Sequence, residues 1–503
     1  MGRSPLPMNG EEVVLSLDEG TTGATAVAVG LDGEVRGKGY EEITQHYPRP
    51  GWVEHDPAEI WSAVQVSARR ALEAANAKSR EVRAIGITNQ RETLVLWDRK
   101  TLQPIAPAIV WQDRRTADQC ARLREAGHEQ RVRETTGLVL DPYFTATKLA
   151  WAINNVAGVA DAAAGTVDSW LIARLSAGRD HVTDASNASR TLLFDIGRGA
   201  WSDEMAELFG VSLGNLPRVV DSSGRISATA GDALDGVAAP ITGIAGDQQA
   251  ALFGQACTAD GMAKNTYGTG SFVLMQTGGR RVDSASGMLT TVAWRREGKL
   301  SYALEGAIFV TGAALQWLRD GLGIIGSASE AGPLAASIPD TGGVFLVPAF
   351  VGLGAPRWDP YARGTIVGLT RGTGRAHIVR AAVEAMAYQT RDVVEAMQQD
   401  TGQRLTELRV DGGAAVMDVL CQLQADLLGI PVRRPRHTET TALGAAFLAG
   451  LGAGLWSDAD LTQLWKLDRE FEPRMSRDEA DALQSRWHRA VERSLAWETP
   501  DNQ

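Results

Sequence analysis

The N-terminal part of the chain alternates short apolar runs with polar turns at the spacing of a β-sheet. Apolar runs occupy 13–17 and 24–29, an Asp-Gly pair follows at 32–33, and a third run of alternating polarity comes next. Asp-Gly between alternating runs is a strong hairpin signal. A helical pattern then begins at Pro57, and an apolar strand follows at 82–87. This order predicts an antiparallel meander, a helix and a buried strand, which together form a mixed α/β layer.

The second half of the chain repeats this order. A Gly-Thr-Gly turn at 268–270 precedes an apolar strand at 272–276, and a long helical pattern covers 378–397. A chain of 503 residues also exceeds what one hydrophobic core usually supports. The repeat predicts two ribonuclease-H-like lobes, residues 1–256 and 257–503. Because ligands often bind between domains, we expect the active site in the cleft between the lobes.

Composition narrows the class of protein. Hydrophobic residues make up 44% and charged residues 22%, which is ordinary for a globular protein, and the formal net charge is −11. Binding to nucleic-acid phosphates needs clustered Lys and Arg, so a nucleic-acid partner is not expected. The densest basic group lies at 433–437, is interrupted by Pro435, and predicts a solvated loop. Cys120, Cys257 and Cys421 are odd in number and far apart, which supports neither a disulfide framework nor a zinc site.

No targeting or membrane signal is visible. Residues 1–6 contain no apolar signal core, and no apolar run approaches the length of a membrane span. We therefore expect a cytoplasmic protein without membrane insertion.

Glycine-rich turns, each preceded by an apolar run, lie at 18–22, 267–271 and 411–414. A strand that ends in such a turn directs backbone N–H groups and hydroxyls at one point, which suits polyphosphate oxygens. One such turn alone could be a simple hairpin turn, but together they predict a nucleotide site. The Gly-Lys pair at 37–38 lacks the spacing of a P-loop, and the glycines at 321–326 follow a helical pattern rather than a strand. A Walker ATPase and a Rossmann fold are therefore not expected.

Two further groups carry candidate chemistry. Gly246-Asp247-Gln248-Gln249 places a carboxylate in a tight loop after an apolar run, and Arg91-Glu92 lies at the exit of the strand at 82–87. A guanidinium fork beside an acceptor carboxylate can bind the adjacent hydroxyls of a small polyol. The alternative for Arg91-Glu92 is a local surface ion pair, worth about 0 to 1 kcal/mol. Trp111 follows an apolar run that predicts a strand at 105–110.

Longer motifs enclose these groups. They are 18–22 (DEGTT), 50–56 (PGWVEHD), 86–93 (GITNQRET), 141–144 (DPYF), 243–254 (GIAGDQQAALFG) and 265–270 (NTYGTG). Together they resemble the glycerol kinases of the FGGY carbohydrate kinase family, and the similarity extends over almost the whole chain. The resemblance implies the fold of the actin-like ATPase superfamily. It also implies transfer of a phosphoryl group from ATP, with Mg²⁺, to glycerol, giving sn-glycerol 3-phosphate.

The resemblance further implies roles for individual residues. Asp247 would be the catalytic base. The glycerol contacts would be Arg91, Glu92, Tyr143, Asp247 and Gln248, with Trp111 and Phe272 as apolar walls. The nucleotide contacts would be Thr21, Thr22, Gly23, Thr269, Gly312, Gln316, Gly413 and Met417. The carboxylates beside Mg²⁺ would be Asp18 and Asp247.

Some positions depart from the family's pattern. Glu19 stands where Gln is common, Thr25 where well-known members carry an Arg near the phosphates, and Met417 where an Asn usually meets the adenine. The segment 231–240 has no counterpart of the loop with which some bacterial members bind fructose 1,6-bisphosphate. We therefore expect altered nucleotide contacts and no feedback by that sugar phosphate.

Alternative functions stay open at this point. The chain could phosphorylate another small polyol or ketose of the same family. In a different class, it could be a non-catalytic actin-like nucleotide-binding protein, but the presence of both Asp18 and Asp247 favours an enzyme. We also expect a homo-oligomer, either a dimer or a tetramer.

Overall fold

The computed structural model describes residues 12–498, which form two compact units. The first unit contains residues 12–256 together with Thr291–Tyr302 and Thr440–Trp465. The second contains Cys257–Thr290, Ala303–Glu439 and residues 466–498. The division into 1–256 and 257–503 stays a prediction, and the structure adds that two later segments pack with the first unit. The predicted lack of a signal core concerns residues 1–6, which lie outside the described residues.

The strands, in chain order, are β1 Val13–Glu19, β2 Gly23–Gly30, β3 Val35–Glu42, β4 Glu54–His55, β5 Val82–Asn89, β6 Val95–Trp97, β7 Ala108–Ile109, β8 Ala163–Gly165, β9 Val182–Asp184, β10 Phe194–Asp195, β11 Ala200–Trp201, β12 Arg218–Val220, β13 Ser223–Ala228, β14 Pro240–Gly246, β15 Ala263–Tyr267, β16 Ser271–Gly278, β17 Leu289–Arg296, β18 Lys299–Ile308, β19 Phe345–Val347, β20 Thr365–Val367, β21 Leu408–Asp411, β22 Val432–Pro435 and β23 Leu467–Phe471.

The α-helices are α1 Pro57–Ala74, α2 Ala117–Glu125, α3 Glu129–Thr136, α4 Thr145–Asn155, α5 Val167–Leu175, α6 Ala185–Ala188, α7 Asp203–Phe209, α8 Asp247–Gly254, α9 Gly312–Asp320, α10 Ala331–Ala336, α11 Arg375–Thr401, α12 Asp418–Leu428, α13 Thr440–Gly452, α14 Asp458–Leu464 and α15 Arg477–Val491. Within residues 12–498, none of these helices combines the length and the apolar character needed to cross a membrane.

The main sheet of the first unit has the order β13-β14-β5-β1-β2-β3. Strand β1 pairs antiparallel with β2, β2 pairs antiparallel with β3, and β1 pairs parallel with β5. Strand β5 in turn pairs parallel with β14. The predicted meander, helix and buried strand are therefore present. Helix α1 starts at Pro57 because Asp56 caps it, accepting a hydrogen bond from the N–H of Ala58.

The second unit repeats the same pairing. Strand β15 pairs antiparallel with β16 and parallel with β21, and β21 pairs parallel with β22. Thus β15, β16 and β21 correspond to β1, β2 and β5 of the first unit. This mixed α/β architecture confirms the predicted fold class of duplicated ribonuclease-H-like layers.

Each unit has its own hydrophobic core. In the first unit, fully buried side chains of the sheet, such as Leu15 and Ile87, pack with Val64 of α1. In the second unit, Val410 of β21 belongs to the same cluster as Met386 of the long helix α11. Burial of these apolar faces is the main stabilising contribution to each layer.

Helix α13 belongs to the first unit because it packs closely against α8. A Cβ atom on Gly254 would lie 2.0 Å from the carbonyl oxygen of Thr440, and one on Gly444 would lie 1.8 Å from that of Ala250. Only glycine allows these two backbones to approach so closely. A segment that is distant in sequence therefore supports the helix that begins at Asp247.

Two predictions about local secondary structure were wrong. The basic group at 433–437 is not a solvated loop, because Val432–Pro435 forms β22 and Arg433 forms ion pairs with Glu407 and Glu470. The run before Trp111 pairs as a strand only over Ala108–Ile109.

Candidate active site

Three polar segments of the first unit meet at one edge of its sheet. Strands β1, β5 and β14 run parallel, and their registers align Glu19 with Asn89 and Asn89 with Gly246. The residues that follow each strand therefore come together at the carboxyl ends, where ligands bind in open α/β sheets. These residues include Gln90 and Arg91 after β5, and Asp247 after β14.

Asp247 is the first residue of α8, directly after the end of β14 at Gly246. The tight loop expected around Asp247 is therefore absent, since strand passes directly into helix. The N–H of Gly246 donates to Ser186 Oγ at 2.9 Å, and Ser186 Oγ donates to the buried Asp184 Oδ1 at 2.9 Å. This chain of hydrogen bonds fixes the backbone that carries Asp247.

Arg91 connects several of the candidate residues. Its Nε lies 3.0 Å from Asp247 Oδ1, its Nη1 donates to Gln249 Oε1 at 3.3 Å, and its Nη2 donates to the hydroxyl of Tyr143 at 3.5 Å. The Arg91 side chain is 2% exposed, whereas that of Asp247 is 30% exposed. The surface ion pair considered as an alternative is therefore excluded, and the carboxylate of Asp247 stays accessible to a ligand.

Glu92 is buried and has a positive φ of 63°, an uncommon backbone conformation for a non-glycine residue. Two donors hold its carbonyl oxygen, Thr145 Oγ1 at 3.1 Å and Lys148 Nζ at 3.5 Å. Lys148 Nζ also donates to the carbonyl oxygens of Tyr143 and Phe144. Burial lowers the pKa of Lys148 to about 8. The buried Lys148 therefore holds the backbone of both Glu92 and Tyr143.

Trp111 links the candidate substrate residues to the first glycine turn. Its Nε1 donates to Thr21 Oγ1 at 2.9 Å, and its ring meets that of Tyr143 edge to face with centroids 5.5 Å apart. The turn itself closes through the N–H of Gly20, which donates to the carbonyl oxygen of Gly23 at 3.0 Å. Thr21, Thr22 and Gly23 therefore lie in the same unit as the polyol-binding candidates.

Glu19 lies fully buried at the end of β1. Burial raises the pKa of its carboxyl well above the usual range, Gln90 lowers it by donating from Nε2 to both oxygens at 3.1 Å, and the charges of Asp18 and Asp247 raise it further. Burial and the two neighbouring charges favour the neutral acid, whereas the amide of Gln90 favours the carboxylate. As the neutral acid, Glu19 would have the same charge as the glutamine that is common at this position in the resembled family.

Asp18 is half-buried near the end of β1, opposite Thr25 of β2. The charges of Asp18 and Asp247 both raise the pKa of Glu19, so the three carboxyl groups lie near enough to influence one another. Within residues 12–498, no group of three or more His, Cys, Asp or Glu side chains could hold a metal ion. Mg²⁺ commonly uses only one or two carboxylates together with water and substrate phosphates, so Asp18 and Asp247 fit such a site.

The second glycine turn and the start of α9 pack directly together in the second unit. The N–H groups of Gly312 and Ala313 donate to the carbonyl oxygens of Gly268 and Thr269, each at 3.0 Å. A Cβ atom on Gly312 would lie 2.5 Å from the Gly268 carbonyl oxygen. Gly412 has a φ of +84°, and a Cβ atom there would lie 2.5 Å from the carbonyl oxygen of Tyr267. Glycine is therefore required at these contacts.

These turns surround a cavity of about 650 Å³ that lies within the second unit. It is lined by Tyr267, Gly268, Thr269, Gly312, Leu315, Gln316, Arg319, Ala328, Ser329, Gly332, Pro333, Ala336, Gly413, Ala414, Val416, Met417, Asp418 and Val419. The volume lies within the range of small-molecule sites, and the lining combines apolar residues with the polar residues Gln316, Arg319 and Asp418. The cavity suits a nucleoside with attached phosphates.

Met417 precedes α12 and forms part of the cavity wall. Its side chain is 8% exposed, and its Cγ would lie 3.1 Å from a Cβ atom added to Gly332. The neighbouring Asp418 begins α12 and accepts from Arg434 Nη1 at 3.0 Å and from Arg469 Nη1. Two arginines therefore hold the segment that presents Met417 to the cavity.

The structure thus divides the candidate residues between two places. Arg91, Glu92, Trp111, Tyr143, Asp247 and Gln248 belong to the first unit, as do Asp18, Thr21, Thr22 and Gly23. Thr269, Gly312, Gln316, Gly413 and Met417 line the cavity in the second unit. Phe272 is the second residue of β16 and belongs to the second unit, whereas Trp111, the other expected apolar wall, belongs to the first.

Several residues of the site were not predicted from the sequence. Gln249 accepts a hydrogen bond from Arg91, Gln90 donates to Glu19, and Arg190 forms an ion pair with Glu92. For Gln249 and Gln90, membership of the motifs at 243–254 and 86–93 was an available signal. For Arg190, no nearby motif indicated a role.

Known proteins resemble this chain over most of its length. The model of the FGGY family of carbohydrate kinases, N-terminal domain, matches residues 13–254, and that of the C-terminal domain matches residues 263–453. The chain is 57% identical to the glycerol kinase of Dechloromonas aromatica, over 97% of this chain and 98% of that one. It is 56% identical to glycerol kinase 2 of Thermotoga maritima, over 96% and 99%.

Solved structures of carbohydrate kinases also resemble this chain over most of its length. The chain matches the crystal structure of Plasmodium falciparum glycerol kinase with ADP at a TM-score of 0.90 and 35% identity, covering 96% of this chain and 98% of that one. A xylulose kinase from Lactobacillus acidophilus matches at a TM-score of 0.85 and 20% identity, covering 96% and 97%, which supports the fold alone. Because the two family models together cover most of the sequence, the chain belongs to the FGGY family of carbohydrate kinases.

Proposed function

We propose that this protein phosphorylates glycerol with ATP, giving sn-glycerol 3-phosphate and ADP. The observation that carries the proposal is the half-exposed carboxylate of Asp247, held 3.0 Å from Arg91 Nε beside the buried Glu92. The chain that carries these residues is 57% identical to a glycerol kinase over nearly its whole length. A site of this kind can bind adjacent hydroxyls and also accept a proton.

Arg91 and Glu92 would bind the hydroxyls that are not phosphorylated. A guanidinium group offers only donors and a carboxylate only acceptors, so together they match the paired donor and acceptor character of a vicinal diol. Tyr143 and Trp111, in edge-to-face contact, would pack against the carbon chain. A triol of three carbons fits this small set of contacts.

Asp247 would orient the terminal hydroxyl and accept its proton as the bond to phosphorus forms. Phosphoryl transfer requires little covalent chemistry from the protein, and its rate depends on alignment and on neutralising charge. The hydrogen bonds from Arg91 keep Asp247 and Gln249 in fixed positions, which lowers the cost of ordering them in the transition state.

The nucleotide would occupy the cavity in the second unit, with its phosphates at the turn formed by Gly268 and Thr269. The crystal structure of a 35% identical relative was solved with ADP, which supports the use of a nucleotide by this chain. Asp18 and Asp247 would hold Mg²⁺, which supplies positive charge to the phosphate oxygens when bound. Glycine at 312 and 412 permits the close backbone packing against Gly268 and Tyr267 that shapes this turn.

A coupled assay of ADP release tests the proposal. Glycerol, dihydroxyacetone, xylulose, ribulose and no acceptor should be compared at equal concentration, with Mg-ATP as donor. We expect glycerol to give the highest kcat/KM and the reaction without acceptor to be slow. A higher kcat/KM for a ketose than for glycerol would mean that a ketose, and not glycerol, is the substrate. If no acceptor accelerates ADP release, the protein is not a kinase for these compounds.

A further inference from the structure

We propose that Arg190 is a positioning residue of the polyol site, which sets the geometry of Glu92 and Tyr143 and thereby the preference for a substrate with adjacent hydroxyls. This inference rests on the proposed function, because it concerns the same site. Arg190 lies two residues after α6, and neither its own segment nor its spacing suggests a part in catalysis.

The contact between Arg190 and Glu92 is a fully buried ion pair. Arg190 Nε lies 2.7 Å from Glu92 Oε1, and the two side chains are 0% and 1% exposed. Arg91 Nε lies farther from the same oxygen, at 3.9 Å. Arg190 therefore makes the shorter contact to the carboxylate, while Arg91 makes its own short contact to Asp247.

Arg190 also contacts the aromatic side of the site. Its Cζ lies 5.7 Å from the ring centroid of Tyr143 and 5.3 Å from that of Phe144. A guanidinium group can stack on aromatic rings while it donates hydrogen bonds in its own plane. A single buried side chain therefore contacts both an acceptor and an aromatic wall of the polyol site.

Stability alone does not account for this arrangement. A buried ion pair often contributes little net stability, because desolvation of both charges offsets their attraction. Here the paired carboxylate belongs to a residue with a positive φ whose carbonyl oxygen is held by Thr145 and Lys148. Backbone and side chain of Glu92 are thus both constrained, which is what a site needs in order to distinguish one hydroxyl spacing from another.

The test compares R190K and R190M with R115K and R115M. Arg115, elsewhere in the first unit, resembles Arg190 because it is also a buried arginine that pairs with a carboxylate and lies against aromatic rings. It is 2% exposed, forms an ion pair with Asp113 at 2.8 Å, and has its Cζ 3.7 Å and 4.7 Å from the rings of Trp52 and Trp151. For each variant, kcat and KM are measured for glycerol and for propane-1,3-diol, together with KM for ATP and the melting temperature.

We expect R190K to raise the glycerol KM roughly ten- to hundredfold, the range for losing a hydrogen bond to a charged group. KM for ATP should stay within about threefold of the wild type, since the contacts of Arg190 described above are to Glu92, Tyr143 and Phe144, and none of these is an expected nucleotide contact. The preference for glycerol over the diol should shrink in R190K and shrink further in R190M. R115K should leave that preference unchanged even if it lowers the melting temperature.

An unchanged preference in folded R190K would overturn the inference, as would an equal change in R115K. Because R190M leaves a buried carboxylate without its partner, R190K provides the decisive measurement if R190M does not fold. If the wild-type enzyme phosphorylates a different polyol, that result contradicts the proposed substrate but not the positioning role of Arg190. The same comparison would then be made with that polyol and its analogue lacking one hydroxyl.

Discussion

Arg91 Nε lies 3.0 Å from Asp247 Oδ1, which joins the residue after β5 to the residue after β14. The first unit contains a matched pair outside the site, in which Arg295 Nε lies 2.7 Å from Asp221 Oδ1. The aspartate side chain is 30% exposed in both pairs. Comparing substitutions in the two pairs therefore separates the effect on kcat of losing an ion pair from the effect of losing a catalytic base.

Replacing Asp247 by Asn is expected to lower kcat by roughly 10² to 10⁴ or more, because the amide keeps the shape but accepts no proton. Glycerol affinity should change little. The measurement is steady-state kinetics with glycerol and Mg-ATP, with D221N as the control. Near wild-type turnover in D247N, or an equal loss in D221N, would remove Asp247 from the role of base.

Propane-1,3-diol is expected to be a poor substrate of the wild type. It lacks the middle hydroxyl, so buried polar groups at Arg91 and Glu92 would be left without a ligand partner, and such sites reject the analogue strongly. For the same reason R91A should raise the glycerol KM substantially. Both effects are measured as kcat/KM, and equal values for diol and triol would contradict the assignment of these residues.

The hydrogen bond from Trp111 to Thr21 predicts an effect on nucleotide use. W111F removes this bond and retains an aromatic ring, and one neutral hydrogen bond contributes about 0.5 to 1.5 kcal/mol. If Thr21 contacts phosphate, KM for ATP should rise roughly two- to twelvefold. Trp201 is the control, since its Nε1 donates to the Pro217 carbonyl oxygen at 2.8 Å in the same unit. W201F should leave KM for ATP unchanged.

Met417 predicts weak discrimination between purine bases. A thioether packs well on a ring face but is a poor hydrogen-bond acceptor. M417N is therefore expected to lower KM for ATP roughly two- to twelvefold and to increase the preference for ATP over GTP. The ratio of kcat/KM for the two nucleotides decides the question, with KM for glycerol as internal control. An unchanged ratio would place the base away from Met417.

Acid should destabilise the first unit partly through His181. Burial and the nearby Arg99 lower the pKa of His181 to about 4, and its ring nitrogens lie 3.2 Å from Arg99 Nη1 and from the Ala164 carbonyl oxygen. Between pH 6.5 and 4 the unfolded chain binds a proton that the folded chain does not, so stability falls as the pH falls. Urea midpoints of H181Q should decline less steeply than wild type over this window.

His488 is the control, because its pKa is shifted in the opposite direction to that of His181. A hydrogen bond from its Nε2 to Asp392 Oδ1, at 2.6 Å, raises its pKa. Its stabilising contribution is therefore complete below its unfolded pKa of about 6.5 and is lost as the pH rises through the folded value. H488Q should accordingly lose most stability below pH 6.5. Parallel pH profiles for H181Q and H488Q would contradict both assignments.

Local patterns were sufficient for the elements that frame the site. The glycine turns at 18–22 and 267–271, the strand before Arg91 and the helix at Pro57 each follow from signals within a few residues, such as turn residues, apolar runs and a helix cap. The basic group at 433–437 was misjudged because its acidic partners, Glu407 and Glu470, lie on other segments.

The sequence by itself determined the duplicated α/β layers and the candidate residues for a polyol and a nucleotide, because periodicity and turn chemistry are encoded locally. The tertiary structure alone decided that Arg190 pairs with Glu92, that Asp247 begins a helix rather than lying in a loop, and that 440–465 packs with the first unit. Those relationships depend on strand register and on close backbone packing between distant segments. The physical reason is that a buried charge or a close helix contact is specified by its partner, and the sequence around either residue does not contain that partner.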